Sequence, residues 1–253
     1  MITRLIPTTD TAAVKLGMLT PSSNTVLEPV CAAMLAGSPH VSVHFARVRV
    51  TQITLDEAGL RQFADTPMLD AAGLLADARV DSLCWNGTSG GWLGVARDRA
   101  LCAEMTRRTG IPATTSVLAM CDALHQAGMT RIGLVTPYQD DVQARIVTSL
   151  AADGVTVVAE RHLRISDNIA MGNVETAVIA DMINEVAPAA PDAVVVLCTN
   201  LRGAPIVAEL ERTLGIPILD SVALAVWGGL RAAKVSPDIL SGWGRLFEGW
   251  PGS

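Results

Sequence analysis

The sequence predicts an α/β protein built as two similar Rossmann-like lobes with parallel sheets, related by a pseudo-twofold axis, with the active site in the cleft between them. Three observations predict this. Short β-branched apolar runs alternate with alanine- and leucine-rich segments of helical period, the pattern of parallel sheets covered on both faces. The order of these units is written twice along the chain. With 253 residues, 50% of them hydrophobic, the chain can bury one large core or two small ones.

The strand-length runs are "VKLGML" at 14–19, "VSVHFARVRV" at 41–50, "VDSLCW" at 80–85, "RIGLVT" at 131–136, "VTVVAE" at 155–160 and "DAVVVLC" at 192–198. Helical periodicity predicts helices over 56–78, 94–109, 116–127, 139–152, 173–187, 203–214 and 221–233.

The repeat is read directly. "KLGMLTP" from Lys15 answers "RIGLVTP" from Arg131, each a strand closing in Thr-Pro before a helix. "VDSLCWNGTS" answers "PDAVVVLCTN", which sets Asp81 over Asp192, Gly87 over Cys198 and Thr88 over Thr199. "TGIPATTSVLAMCDALHQAG" from Thr109 answers "LGIPILDSVALAVWGGLRAA" from Leu214. Gly-Ile-Pro alone is common, but three matched units in matched order are not. The expected lobes are 1–115, with 229–253 packing back on it, and 116–228.

In open parallel sheets, ligands bind beyond the carboxyl ends of the strands. Thr20-Pro21, Gly87-Thr88, Thr136-Pro137 and Cys198-Thr199 all close such strands. Lobes that face each other bring these ends to one cleft, with Gly87 and Cys198 on opposite walls. Cys84 lies three residues before Gly87, one side-chain alternation out of phase, and is a poor substitute for a thiol there.

Composition narrows the function. A net charge of −6 and a pI near 5.2 argue against nucleic acid or anionic lipid as partner and leave small molecules. The opening "MITRLIPTTD" has no signal-peptide core and no run reaches membrane-span length, so a cytosolic (cytoplasmic) location is expected. Five cysteines, odd in number and without a CxxC pair, read as free thiols. Four scattered histidines offer no metal ligand spacing, and no glycine-rich phosphate loop is present, so neither metal nor cofactor is expected.

A two-lobed α/β chain with a strand-end cysteine resembles the aspartate/glutamate racemase superfamily. That family uses one cysteine in each half to move a proton on and off an α-carbon, whereas this sequence keeps only the second. The closer resemblance, over nearly the whole chain, is to the branch with arylmalonate decarboxylase and maleate cis-trans isomerase. It is carried by "PSSNTVLEP" at 21–29, "NGTSGGW" at 86–92, "TPYQDDVQAR" at 136–145, "ISDNIAMGN" at 165–173, "LCTNLRG" at 197–203 and "GWGRLF" at 242–247. "PSSNT" and "SDN" are isomerase-like. The glycine before Thr-Ser, the Tyr followed by Asp-Asp-Val and the terminal "GWGRLF" are decarboxylase-like.

The resemblance implies a decarboxylase of malonate-type acids, α-substituted and possibly aryl, working without a cofactor through an enediolate. Cys198 is then the proton donor. Thr88, Ser89 and Tyr138 are candidates to hold the carboxylate and enediolate by their hydroxyls, with the backbone N–H groups of Ser89 and Thr199 beside them, a packed aromatic being the alternative for Tyr138. Ser22, Ser23, Asn24 and Asn168 are candidates for the second carboxylate. Helix capping is the alternative use of Thr88, Ser89 and the 22–24 segment. Gly87 is expected to line the pocket, glycine making room for the α-substituent, and Trp92, with Trp85, is expected either to line it as an apolar wall or to pack in the core. Arg202 and Arg245 are weaker candidates for a carboxylate, and Cys31, Cys102 and Cys121 are expected in the core. Two other functions stay open: a maleate isomerase or racemase using Cys198 alone, and a non-catalytic dicarboxylate-binding protein. The expected partner is a small dicarboxylate, and the oligomeric state is left open.

Overall fold

The computed structural model describes residues 14–252; the reading of "MITRLIPTTD" lies outside them. Two four-stranded parallel sheets form the molecule. The first is β1 (Val14–Pro21), β2 (Val41–Val48), β3 (Ser82–Trp85) and β4 (Ala113–Thr115), in the order β2-β1-β3-β4. The second is β5 (Arg131–Thr136), β6 (Thr156–His162), β7 (Ala193–Val196) and β8 (Ile218–Asp220), in the order β6-β5-β7-β8. The two orders are the same, one lobe's four strands matching the other's in turn, as the written repeat requires.

The repeat extends to packing. Gly17 in β1 and Gly133 in β5 hold the same place in "LGML" and "IGLV". A Cβ on Gly17 would fall 2.8 Å from Val80 Cγ2, and one on Gly133 would fall 2.9 Å from Val186 Cγ2. Each lobe therefore needs glycine where a neighbouring valine presses on its second strand in sheet order. Central β3 and β7 are buried throughout, while edge strands β2 and β6 are mostly half-buried, which explains the uninterrupted apolar runs of the former.

The helices are α1 (Leu27–Leu35), α2 (Glu57–Arg61), α3 (Asp65–Asp77), α4 (Gly90–Leu93), α5 (Val95–Thr109), α6 (Ser116–Gln126), α7 (Asp140–Ala152), α8 (Asn168–Met171), α9 (Thr176–Val186), α10 (Val207–Leu214) and α11 (Ser221–Ala232). The helix expected over 56–78 is two. Pro67 is tolerated in the first turn of α3, whose N–H groups have no helical partner, but inside one continuous helix its ring would clash with the carbonyl of Phe63. α6 and α11 begin at equivalent caps: Thr115 Oγ1 accepts from Leu118 N at 3.0 Å, and Asp220 Oδ1 accepts from the N–H groups of Val222 and Ala223. No helix among the described residues is long and apolar enough to cross a membrane.

One helix crosses between the lobes. α11 follows β8 yet lies on the first sheet, where a Cβ on Gly229 would sit 3.5 Å from Met18 and 3.8 Å from Leu16. The boundary expected at residue 228 falls inside this helix. The chain end is tied to α6 and α10: Trp250 Nε1 donates to Ala123 O at 3.0 Å, and Arg245 N donates to Glu211 Oε2 at 2.7 Å.

Candidate active site

The C-terminal ends of β1, β3, β5 and β7 converge where the lobes meet. From the first lobe come Asn24 and the "NGTS" segment, from the second Tyr138 and "CTN". Cys198, Thr88, Ser89, Tyr138, Asn24, Asn168, Thr199 and Asn200 are each no more than 5% exposed. The site is closed.

Hydrogen bonds stitch the seam. Thr88 Oγ1 and Tyr138 OH, from opposite lobes, are 2.5 Å apart. Thr199 Oγ1 donates to Asn86 O at 2.6 Å and accepts from Asn24 Nδ2 at 3.2 Å. The other end of the Asn24 carboxamide accepts from the N–H groups of Val26 and Leu27, which starts α1. Asn200 Oδ1 accepts from Thr25 N at 3.0 Å, and its Nδ2 donates to Asn168 O at 2.5 Å.

A strap crosses above this seam, formed by the segments after β2 and β6, which are equivalent in the repeat. Gln52 and Asp167 make an antiparallel bridge, Ile53 N donates to Ser166 O at 2.8 Å and Asn168 N donates to Thr51 O at 2.9 Å. Asn168 Nδ2 donates to Ser23 Oγ, which donates in turn to Val50 O at 2.7 Å.

Cys198 is a neutral thiol near neutral pH. Burial pushes its pKa up from an ordinary 9.0 to about 11, while the Tyr138 hydroxyl and the N–H groups of Asn200 and Leu201 pull the other way. Asn200 N reaches the sulfur at 3.3 Å, and Met171 Sδ lies 4.0 Å from it. Burial, then the neighbouring Cys198, raise Tyr138 well above the usual phenol range. Behind the thiol, the carboxyl of Asp220 is held up at about 7, chiefly by burial. Apart from Asp220, the side chains gathered around Cys198 carry no charge. The nearby cation Arg47 is paired with Glu28 at 2.6 Å and donates to Ser22 O and Asn24 O. Among the described residues, no cluster of three or more His, Cys, Asp or Glu side chains suits a metal ion.

Several expectations need correction. Gly87 does not open space: a Cβ there would fall 2.2 Å from Trp85 Cζ2 and 2.4 Å from Cε2, so the chain's own indole fills that wall. Trp92 stands behind Tyr138, edge to face at 5.2 Å between ring centroids, and holds the phenol in place. The Ser22 hydroxyl accepts from Val50 N at 3.2 Å, so both it and Ser23 serve the crossing at Val50. The Thr199 hydroxyl gives its proton to Asn86 O, and the backbone N–H named for it in the sequence is what it has for a ligand. Arg245 braces the end of α10, donating to Gly215 O at 3.0 Å, while Arg202 reaches Gly172 O at 3.5 Å beside the strap.

Asn200 and Met171 were not singled out as site residues. Asn200 carried a signal, since the repeat sets it over Ser89. Met171 carried none, because an apolar residue in "NIAMGN" reads as core, and only the fold brings it to the sulfur.

Two parallel lobes closed on one buried thiol, with hydroxyls supplied from both sides of the seam, define a two-lobed α/β enzyme class. The chain belongs to the arylmalonate decarboxylase family, whose family model matches residues 16–247. It is 34% identical over 157 residues to an arylmalonate decarboxylase of Bordetella bronchiseptica, a match covering 61% of this chain and 65% of that enzyme, just under two thirds of its length. It is 28% identical over 247 residues to a maleate isomerase of Pseudomonas putida, covering 93% of this chain and 97% of that one. Among solved structures, a glycine-to-cysteine, cysteine-to-serine double variant of arylmalonate decarboxylase in liganded form superposes with a TM-score of 0.83 at 28% identity, covering 93% of this chain and 99% of that one.

Proposed function

We propose that the protein is a cofactor-independent decarboxylase of α-substituted, possibly aryl, malonate-type acids. The observation that carries this reading is a buried, neutral thiol at a strand end, Cys198, whose repeat-related position holds glycine and is filled by indole. One carboxylate is held by Thr88, Ser89 and Tyr138. The other lies against the apolar first-lobe wall, toward Trp85, where loss of charge is favoured. The bond to that carboxyl breaks, CO2 leaves, and its electron pair forms an enediolate held by the hydroxyls. The Sγ–H bond of Cys198 then breaks, its proton joins the α-carbon, and water reprotonates the thiolate. With one thiol, the proton comes from one face.

Incubation with phenylmalonate-type acids, with CO2 release followed with and without chelator, tests the reading. Release that is indifferent to chelator and lost in Cys198→Ser is expected. Metal dependence overturns the cofactor claim, and no turnover of any malonate overturns the decarboxylase.

A second reading, maleate cis-trans isomerase, is favoured by the buried Asn24 and Asn168 of the isomerase-like segments and by the length of the match to a maleate isomerase. Fumarate formed from maleate, read by NMR, selects it.

A further inference from the structure

The first-lobe wall is built by Trp85. Residues 85 and 87 lie two apart at a strand end, so their side chains project to the same side. At 87 there is no side chain, and the indole leans across: Cζ2, Cε2 and Nε1 lie 2.2, 2.4 and 2.8 Å from where a Cβ would be. Trp85 Nε1 then donates to Ser89 Oγ at 3.1 Å, with both groups buried.

This bond fixes what Ser89 can do. An indole N–H is a donor only, so Ser89 Oγ must accept here, and its own proton is left for another partner. Thr199 donates to Asn86 O and Ser23 donates to Val50 O, while Thr88 and Tyr138 share one bond, which leaves one proton between them for the same substrate. Ser89 precedes α4 yet makes no side-chain cap bond, and the described residues offer its proton no acceptor. A carboxylate or enediolate oxygen in the cleft is the acceptor that completes it.

We propose that Trp85 is a positioning and specificity-determining residue: its indole N–H turns the Ser89 hydroxyl into a donor toward the substrate's carboxylate, and its ring occupies the place of a first-lobe side chain. This rests on the decarboxylase reading for the identity of the substrate. One residue thereby does two things. It supplies an oriented donor, and it denies the second face of the α-carbon to any protein acid.

The test is a double-mutant cycle on Trp85→Phe and Ser89→Ala, with thermal melts to verify folding. Trp85→Phe removes the N–H and keeps an aromatic ring. Each single change is expected to lower kcat/KM on a phenylmalonate by about 10-fold or more, and the double variant is expected to be no worse than Ser89→Ala. Additive losses, or a folded Trp85→Phe with parental kinetics, overturn the proposal. If Trp85→Phe does not fold, Ser89→Ala alone decides, and its parental kinetics overturn the proposal. Calorimetric binding of phenylacetate, the monoacid of the proposed reaction, repeats the cycle without turnover. Coupled losses there, in a protein that decarboxylates nothing, sink the decarboxylase reading and leave this one standing. Turnover with an additive cycle does the reverse, and a parent that neither turns over nor binds phenylacetate overturns both.

Discussion

Thr88 and Tyr138 meet hydroxyl to hydroxyl at 2.5 Å across the boundary between the lobes, beside the one thiol that the repeat leaves at a strand end. The pair joins the two halves of the site and ties the phenol to the sulfur. Tyr138→Phe removes the hydroxyl and leaves the ring against Trp92. The expected outcome is a fall in kcat of about 100-fold with CO2 release as readout, the usual cost of one preorganised donor, and a Cys198 pKa higher still, since the hydroxyl favours the thiolate. An unchanged kcat removes Tyr138 from the mechanism.

Cys198 should behave as an acid that holds its proton. Burial raises its pKa to about 11, so the folded protein binds this proton more tightly than the unfolded chain does. The associated stability is present below the ordinary thiol range and is lost as pH rises through the folded value. Alkylation of Cys198 by iodoacetamide is therefore expected to be slow near neutral pH and to climb toward pH 11, followed by mass spectrometry. Rapid, pH-independent labelling at neutral pH would contradict a protonated donor.

Introducing a second thiol is expected to fail on its own. In Gly87→Cys the new Cβ meets the Trp85 ring, and overpacking of this kind costs about 1–3 kcal/mol, seen as a lower Tm. Racemisation of a chiral α-aryl monoacid, followed by chiral chromatography, is expected only when Trp85→Ala is added to make room. Racemisation in the single variant, with an unshifted Tm, would show that the indole does not fill the wall.

The strap offers a different readout. Ser23→Ala takes away the acceptor of the Asn168 side chain and should loosen the closed form without touching the thiol. KM is expected to rise about 3- to 10-fold with kcat nearly unchanged, and amide exchange at Gln52 and Ile53 to quicken. A loss confined to kcat would place Ser23 with the reacting groups instead.

How much of this was legible is clearest residue by residue. The matched "KLGMLTP" and "RIGLVTP" announced the duplicated sheet, and the fold gives the reason Gly17 and Gly133 recur in them, since each lobe needs the same absent side chain at the same strand position. The Thr-Pro and Cys-Thr strand ends announced the cleft, since the end of a parallel strand is a local property of the chain. The seam itself was not legible: Asn24, Thr199 and Asn86 are far apart in sequence, and only the docking of the lobes decides that Thr199 gives its proton to a carbonyl. Trp85 was harder still. Strand alternation gives its side, but whether an indole packs down into the core or leans over a neighbouring glycine depends on its rotamer and on Ser89, four residues on.

The neutrality of the site has a consequence for how substrate arrives. A dianion approaching this protein meets a body of net charge −6 and, at the seam, neutral hydroxyls and carboxamides, with Arg47 already paired to Glu28. Long-range attraction is missing, so encounter is opposed by the overall field, and recognition begins only at hydrogen-bonding distance. Added salt should therefore quicken capture: kcat/KM for a malonate dianion is expected to rise with ionic strength and then level off, the reverse of the trend shown by a site that draws its anion in with a fixed cation.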